Sequence, residues 1–216
     1  MSDCATIMIV DDHPLLRKGL RQLIELEDEL ELVAEASNGA EAIPLAEEHE
    51  PDLIILDLNM PDMNGIETLN HMRERGVVSR IVVYTVSDHD EDVVAAITGG
   101  ADGYLLKDME PEEVVEKIKQ AVLGKMVISD RLTEVLASAL RHPQKSESNV
   151  MDTLTTREHE ILQLIAKGMS NKLIARELNI SDGTVKVHVK HLLKKMNLRS
   201  RVEAAVWVVN QKQVGK

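Results

Sequence analysis

The first 125 residues alternate between two hydrophobic periods, and this limits the fold more than any other feature of the chain. Short apolar runs fall at 7–10, 30–34, 53–56, 81–86 and 103–106. Between them, segments 14–25, 40–48, 65–73, 90–98 and 111–123 space their apolar residues as helices do. The runs at 53–56 and 81–83 are continuously apolar, as expected of strands covered on both faces. Five strand–helix units of this length predict a parallel sheet with helices on both sides and right-handed crossovers. Turn signals at Asn38-Gly39, Pro61, Asn64-Gly65 and Gly99-Gly100 punctuate the pattern. Pro44 falls inside the second helical segment, where a missing backbone donor predicts a local distortion.

The pattern then changes. Residues 129–141 form an amphipathic helical segment, and 142–149 are polar, with Pro143, Lys145 and three serines or acids, the composition of a linker. Beyond it come four short helical segments with clean caps. Thr155-Thr156-Arg157-Glu158 and Ser200-Arg201-Val202-Glu203 both have capping-box spacing. Ser181 caps a helix that runs to Met196, and Asn171–Leu178 precedes it. The expected organisation is an α/β domain of flavodoxin-like (βα)5 type at 1–128, a linker with a helix at 129–150, and a small all-α domain at 151–216.

Charge divides the chain at the same place. Residues 1–128 carry 28 Asp/Glu against 10 Lys/Arg, whereas 150–216 carry 6 against 12. The second domain is the candidate for nucleic acid, and the first is not. Phe is absent and three residues are aromatic, so a stacking platform for single strands is excluded. No apolar run approaches the roughly 18 residues of a membrane span, and no signal-like segment opens the chain. One cysteine, Cys4, leaves no internal disulfide and fits a reducing cytoplasm.

Asp11 and Asp12 follow the first predicted strand, and Asp57 follows the third. In a 2-1-3-4-5 sheet these strands are neighbours at the point where the strand order reverses, and ligands bind beyond their carboxyl ends. Three converging carboxylates call for a cation, and an all-oxygen donor set suits Mg²⁺. A carboxylate beside Mg²⁺ is a competent nucleophile towards phosphorus. Lys107, after the fifth strand, can pair with a phosphoryl group; Thr85, ending the fourth, can offer its hydroxyl; Tyr104 can repack when Thr85 moves. Alone, each has a bland reading: a solvated Asp-Asp loop, a surface lysine, a strand threonine, a core tyrosine. Together they fall at the ends of four predicted strands. His13, His49, His71 and His89 are expected at the surface, and Met60, Met63 and Met72 in packing.

These residues carry a resemblance. Asp11-Asp12, Leu56-Asp57-Leu58-Asn59-Met60-Pro61, Thr85, and Tyr104 with Lys107 resemble the receiver domain of bacterial two-component response regulators. The resemblance implies that Asp57 accepts phosphate from a sensor histidine kinase. It also implies that Asp11, Asp12, Asp57 and the Asn59 carbonyl hold Mg²⁺, that Thr85 and Tyr104 form a switch pair, and that Lys107 contacts the phosphoryl group. Asp108 follows Lys107 where many receivers have proline, which removes the basis for a cis peptide there.

In the segment from Ser181 to Met196, Val185, Val189, Leu192, Leu193 and Met196 form one buried stripe. Lys186, Lys190 and Lys194 stack at four-residue spacing on another face, a mutual repulsion that a polyanion would relieve. Val187, on the outer side, can meet a thymine methyl in a major groove. Short helix, turn, basic helix is helix-turn-helix organisation, against the plainer reading of a solvated lysine face. Leu154-Thr155-Thr156-Arg157-Glu158, Gly168-Met169-Ser170-Asn171-Lys172 and Thr184-Val185-Lys186-Val187-His188 resemble the LuxR-type helix-turn-helix of the NarL/FixJ family. That implies DNA binding through Thr184 and its neighbours, with Lys186, Val187 and Lys190 at the bases and Lys172 and Lys194 on phosphates. It also implies a homodimer face on Val202, Ala205, Val206 and Val209, a stripe that is equally well core. Within the family, 100–108, 184–196 and 200–208 are most similar to the nitrate/nitrite regulators, which implies control of anaerobic respiration genes.

The expectation is a transcription regulator in which the acidic domain masks the basic helix until Asp57 is phosphorylated. Two rivals stand. A phosphatase with an aspartate nucleophile needs a second Asp two residues on, where this chain has Asn59. A constitutive DNA-binding or adaptor protein would leave the acidic pocket unused.

Overall fold

The computed structural model describes residues 4–128 and 153–214; the segments 129–141 and 142–149 lie outside the described residues. Strands β1 (Ala5–Val10), β2 (Leu30–Ala36), β3 (Leu53–Leu56), β4 (Arg80–Thr85) and β5 (Gly103–Leu106) alternate with helices α1 (Pro14–Glu25), α2 (Gly39–His49), α3 (Gly65–Glu74), α4 (Asp90–Gly99) and α5 (Pro111–Val122). Every strand pair is parallel, and the order is β2-β1-β3-β4-β5-β6 among the described residues. The edge strand β6 (Val127–Ile128) was not predicted, because two residues are too few to show a period.

Side-chain alternation builds a core on each face. Met8, Val10, Ile54, Leu56, Ile81, Val83 and Tyr104 meet α2, α3 and α4 through residues such as Ala42, Leu69, Met72 and Ala96. Ile7, Ile9, Leu53, Ile55, Val82, Tyr84 and Leu105 meet α1 and α5 through Leu20, Ile24, Val114 and Ile118. β3 and β4 are buried at every residue, which is why 53–56 and 81–83 are apolar without interruption, although Arg80 and Thr85 at the ends of β4 are buried too. Helix α2 continues through Pro44, its sixth residue, so the expected distortion does not end the helix.

The last third forms α6 (Thr156–Ala166), α7 (Asn171–Leu178), α8 (Asp182–Met196) and α9 (Arg201–Val214). The predicted capping box opens α6, with Thr155 and Glu158 bonding each other's backbone amides. Burial tends to raise the Glu158 carboxyl, but Lys195 at 2.6 Å and the Thr155 amide outweigh it and hold it below the usual range. The second box is shifted by one residue: Ser200 Oγ accepts from Glu203 N at 3.2 Å, while the Glu203 carboxylate accepts from Arg199 N. The stripe Val185, Val189, Leu192, Leu193, Met196 is buried as predicted.

This helical unit docks on the acidic domain at the end of the sheet where β3 and β4 begin. Lys172 Nζ lies 3.1 Å from Asp52 Oδ2 and donates to the Cys4 carbonyl. Lys186 Nζ donates to the Glu50 carbonyl at 2.7 Å, and Val78 packs on the helical core. The Lys190 side chain crosses Gly76. Gly124 and Gly168, both with positive φ, meet backbone to backbone, so a Cβ at Gly124 would overlap the Gly168 carbonyl oxygen.

Candidate functional site

The carboxyl ends of β1, β3, β4 and β5 supply the acidic pocket. Asp11 and Asp57 are buried directly after their strands, and ligand atoms of Asp11, Asp12, His13 and Asp57 all lie within 4.8 Å of one another. Lys107 Nζ stands 2.7 Å from both Asp11 Oδ2 and Asp57 Oδ2, so one ammonium neutralises part of the cluster. Asp57 Oδ1 is buried with no hydrogen-bond partner among the described residues. A Cβ at Gly65 would overlap the Asp57 carbonyl oxygen, and Gly65 N donates to the Leu58 carbonyl at 2.9 Å. The loop carrying Asp57 is therefore pinned by a glycine that begins α3. An orphaned buried oxygen in a set of three carboxylates, with one histidine at its exposed edge, fits a hard divalent cation.

His13 was expected simply at the surface. It is exposed, yet its Nδ1 lies 2.8 Å from Asp12 Oδ1 and 3.3 Å from Asp11 Oδ1. Adjacency to Asp11-Asp12 was the signal for this. Asn59 is exposed and donates from Nδ2 to Thr85 Oγ1 at 3.4 Å, linking the loop after β3 to the end of β4. Thr85 is fully buried. Tyr104 lies beneath this region, and its hydroxyl donates to the Ser87 carbonyl at 3.0 Å. Burial pushes the phenol of Tyr104 well up, so the hydroxyl stays a donor. Ser87, missed in the sequence, joins these parts: its amide donates to Thr85 Oγ1 at 3.3 Å and its hydroxyl to Asp92 at the start of α4. No motif marked it. The peptide after Lys107 is trans, as Asp108 led one to expect.

On the basic side, Lys172, Lys186 and Lys190 all face the acidic domain, as described above. Thr184 is exposed with its hydroxyl 2.7 Å from Ser181 Oγ, and Lys194 is exposed. Val187, 53% exposed, lines a cleft of about 170 Å³ together with Glu47, Glu50 and Arg75 of the acidic domain. On α9, Ala204 and Val208 belong to the core and Ala205 packs against it, whereas Val202 and Val206 are half-buried and Val209 is exposed.

Residues 7–119 match the response regulator receiver domain, and 152–208 match the bacterial regulatory proteins of the luxR family. The chain belongs to the LuxR family of response regulators. It is 58% identical to the nitrate/nitrite response regulator protein NarL of Escherichia coli (strain K12), across 94% of each chain. It is 49% identical to the nitrate/nitrite response regulator protein NarP of the same organism, across 95% of each. Its fold superposes on the response regulator ChrA of a heme-sensing two-component system with a TM-score of 0.52, 30% identity, and 97% and 98% of the two chains covered. A LuxR-family response regulator from Aurantimonas gives a TM-score of 0.59 at 36% identity, over 62% of this chain and 96% of that one. This response regulator is thus a two-component, DNA-binding transcription regulator. No described helix is long and apolar enough to cross a membrane.

Proposed function

We propose that this response regulator is phosphorylated on Asp57 by a sensor histidine kinase and controls genes in response to nitrate or nitrite, as the names of its relatives suggest. The observation that carries the phosphorylation is the Lys107 ammonium bridging Asp11 and Asp57 at 2.7 Å. An Asp57 oxygen attacks phosphorus, the bond to the donor nitrogen breaks, and an acyl phosphate forms. Lys107 then exchanges a carboxylate for a phosphoryl oxygen, and the Thr85 hydroxyl turns to another. Asp11, Asp12, Asp57 and the Asn59 carbonyl would hold Mg²⁺, which when bound offsets the negative charge gathering at the transferred group. The chain acts on itself and has no second acid at Asn59 for phosphatase turnover.

Docking and DNA binding compete for Lys172, Lys186 and Lys190, so the closed arrangement masks the recognition helix α8. The phosphorylation site and the docked domain lie at opposite ends of the sheet, since Asp52 precedes β3 and Asp57 follows it. Helix α4 spans that distance: Ser87 holds Asp92 at one end, and Gly100, just past the other, lies 3.2 Å from Arg199 Cβ when given a Cβ. A shift of Thr85 and Ser87 on phosphorylation would move α4 and loosen Arg199. Released basic domains would pair through Val202, Ala205, Val206 and Val209 on DNA half-sites, in the cytoplasm.

The test is incubation with acetyl phosphate. Stoichiometric, Mg²⁺-dependent labelling lost in Asp57→Ala, with DNA binding gained only in the labelled wild type, is the expected result. Steady release of phosphate would favour the phosphatase, and DNA binding indifferent to Asp57→Ala would favour the constitutive rival.

A further inference from the structure

The docked arrangement buries positive charge that the masking lysines do not explain. Arg73 and Arg80 of the receiver and Arg201 of the helical domain are all buried, at 5% exposure for Arg80 and 6% for Arg201. Asp102 is the one carboxylate that acts on all three; its Oδ2 accepts from Arg73 and from Ile81 N, both at 3.0 Å, and its Oδ1 is buried with no hydrogen-bond partner among the described residues, so one carboxylate faces three guanidinium groups. Arg80 gives one nitrogen to the Gly124 carbonyl at 3.0 Å, and its Nε is buried with no hydrogen-bond partner among the described residues. Arg201 reaches Asn171 Oδ1 at 3.1 Å and the Met169 carbonyl. Burial first, and then the like charge of Arg80, push the Arg201 guanidinium down to about 9.

Arg80 and Arg201 line one cleft of about 450 Å³ between the domains. Arg176 and the first turn of α7, with Ser170 at its cap, line it too. A helix N-terminus presents unpaired amides and a positive dipole end. Val122, Leu123 and Leu173 give the cleft an apolar wall. The size is that of a small-molecule site.

We propose that this interdomain cleft binds a phosphoryl group, carried by a small metabolite or present as free phosphate, between Arg80, Arg201, Arg176 and the N-terminus of α7. The anion would pair the orphaned Arg80 Nε and offset the buried arginines, while touching both domains at once. Anything bound to the docked form alone stabilises it, so the ligand would oppose DNA binding independently of Asp57. A ring attached to the phosphoryl group would lie on the apolar wall.

The test titrates the full chain with inorganic phosphate and, separately, adenosine 5′-monophosphate, against sodium chloride at matched ionic strength, and follows backbone amide resonances. Saturable shifts at Ser170, Asn171, Leu173 and Val78 with either probe are expected. Equal affinity for the two assigns the site to free phosphate, and tighter binding of the nucleotide assigns it to a metabolite. Arg176→Ala, on an exposed residue, should weaken binding by about tenfold, the scale of one charge-assisted contact. Arg80→Gln should do the same, and because Arg80 belongs to the receiver, this separates the cleft from the DNA surface. Lys18→Ala, on α1, should leave binding unchanged. Shifts no larger than those of chloride, or binding that survives Arg176→Ala and Arg80→Gln, would overturn the proposal.

Discussion

Removing the Lys107 ammonium would leave Asp11 and Asp57 facing each other in a buried site. Breaking a buried ion pair by deleting one partner costs about 3–5 kcal/mol. Lys107→Ala should therefore lower receiver stability by about that much in a chelator and by clearly less in excess Mg²⁺, as urea unfolding under the two conditions would reveal; an equal loss in both would mean that no cation shares the site. Glu158 offers a test by pH. Its folded-state carboxyl lies below the usual range, so its contribution is present above the unfolded value and is lost as pH falls through the folded one. Glu158→Gln should cost the helical domain about 1 kcal/mol at pH 7, and the cost should shrink steadily as pH falls below the usual carboxylate range, by thermal unfolding. At this scale the sequence was informative wherever a residue's role follows from its place at a strand end. The convergence of Asp11, Asp57 and Lys107, and the placing of Thr85 beside them, were legible for that reason; Tyr104 lies inside β5 and was placed only by the family resemblance. Ser87 was not, because its part is played by a carbonyl, an amide and a hydroxyl that any loop serine possesses. His13 was passed over because exposure and membership of a cluster are compatible, and only geometry reveals the second.

Among the elements, α8 makes the sharpest demands. Its buried valine and leucine stripe was readable from spacing alone, since one face of a helix repeats every three to four residues. Its lysine face was read as a surface for a polyanion that the acidic domain would mask, but which receiver residues it meets, the Glu50 carbonyl and Gly76, was not legible. Its lysines join receiver residues more than a hundred positions away, and no local pattern records that. Lys190→Ala should weaken binding to a specific site by about 1–3 kcal/mol if the side chain reaches a base edge, and affinity for random DNA much less. An equal loss on both would reassign Lys190 to a phosphate. For the wild type, the logarithm of affinity should fall with the logarithm of salt at a slope of about −0.9 per phosphate neutralised. Titrations from low to physiological salt would measure it. Strand β6 and the shifted second capping box mark the lower limit of sequence reading, where two residues or one position decide the outcome.

Across the whole molecule, acidic and basic halves were visible as composition, and their closure follows from Lys172 on Asp52 and Lys186 on Glu50. What composition could not reveal is how tightly the halves fit at Gly124 and Gly168. Gly124→Ala would strain a left-handed backbone, at about 1 kcal/mol, and would also drive a methyl group into the Gly168 carbonyl. The expected result is a larger radius of gyration by small-angle scattering and DNA binding without a phosphodonor. An unchanged radius would mean that the seam yields without parting. Since Gly124 meets the Gly168 carbonyl with no side chain of its own between them, the closed form depends there on a hydrogen atom standing where any other amino acid would put carbon, and a single codon change is expected to open it.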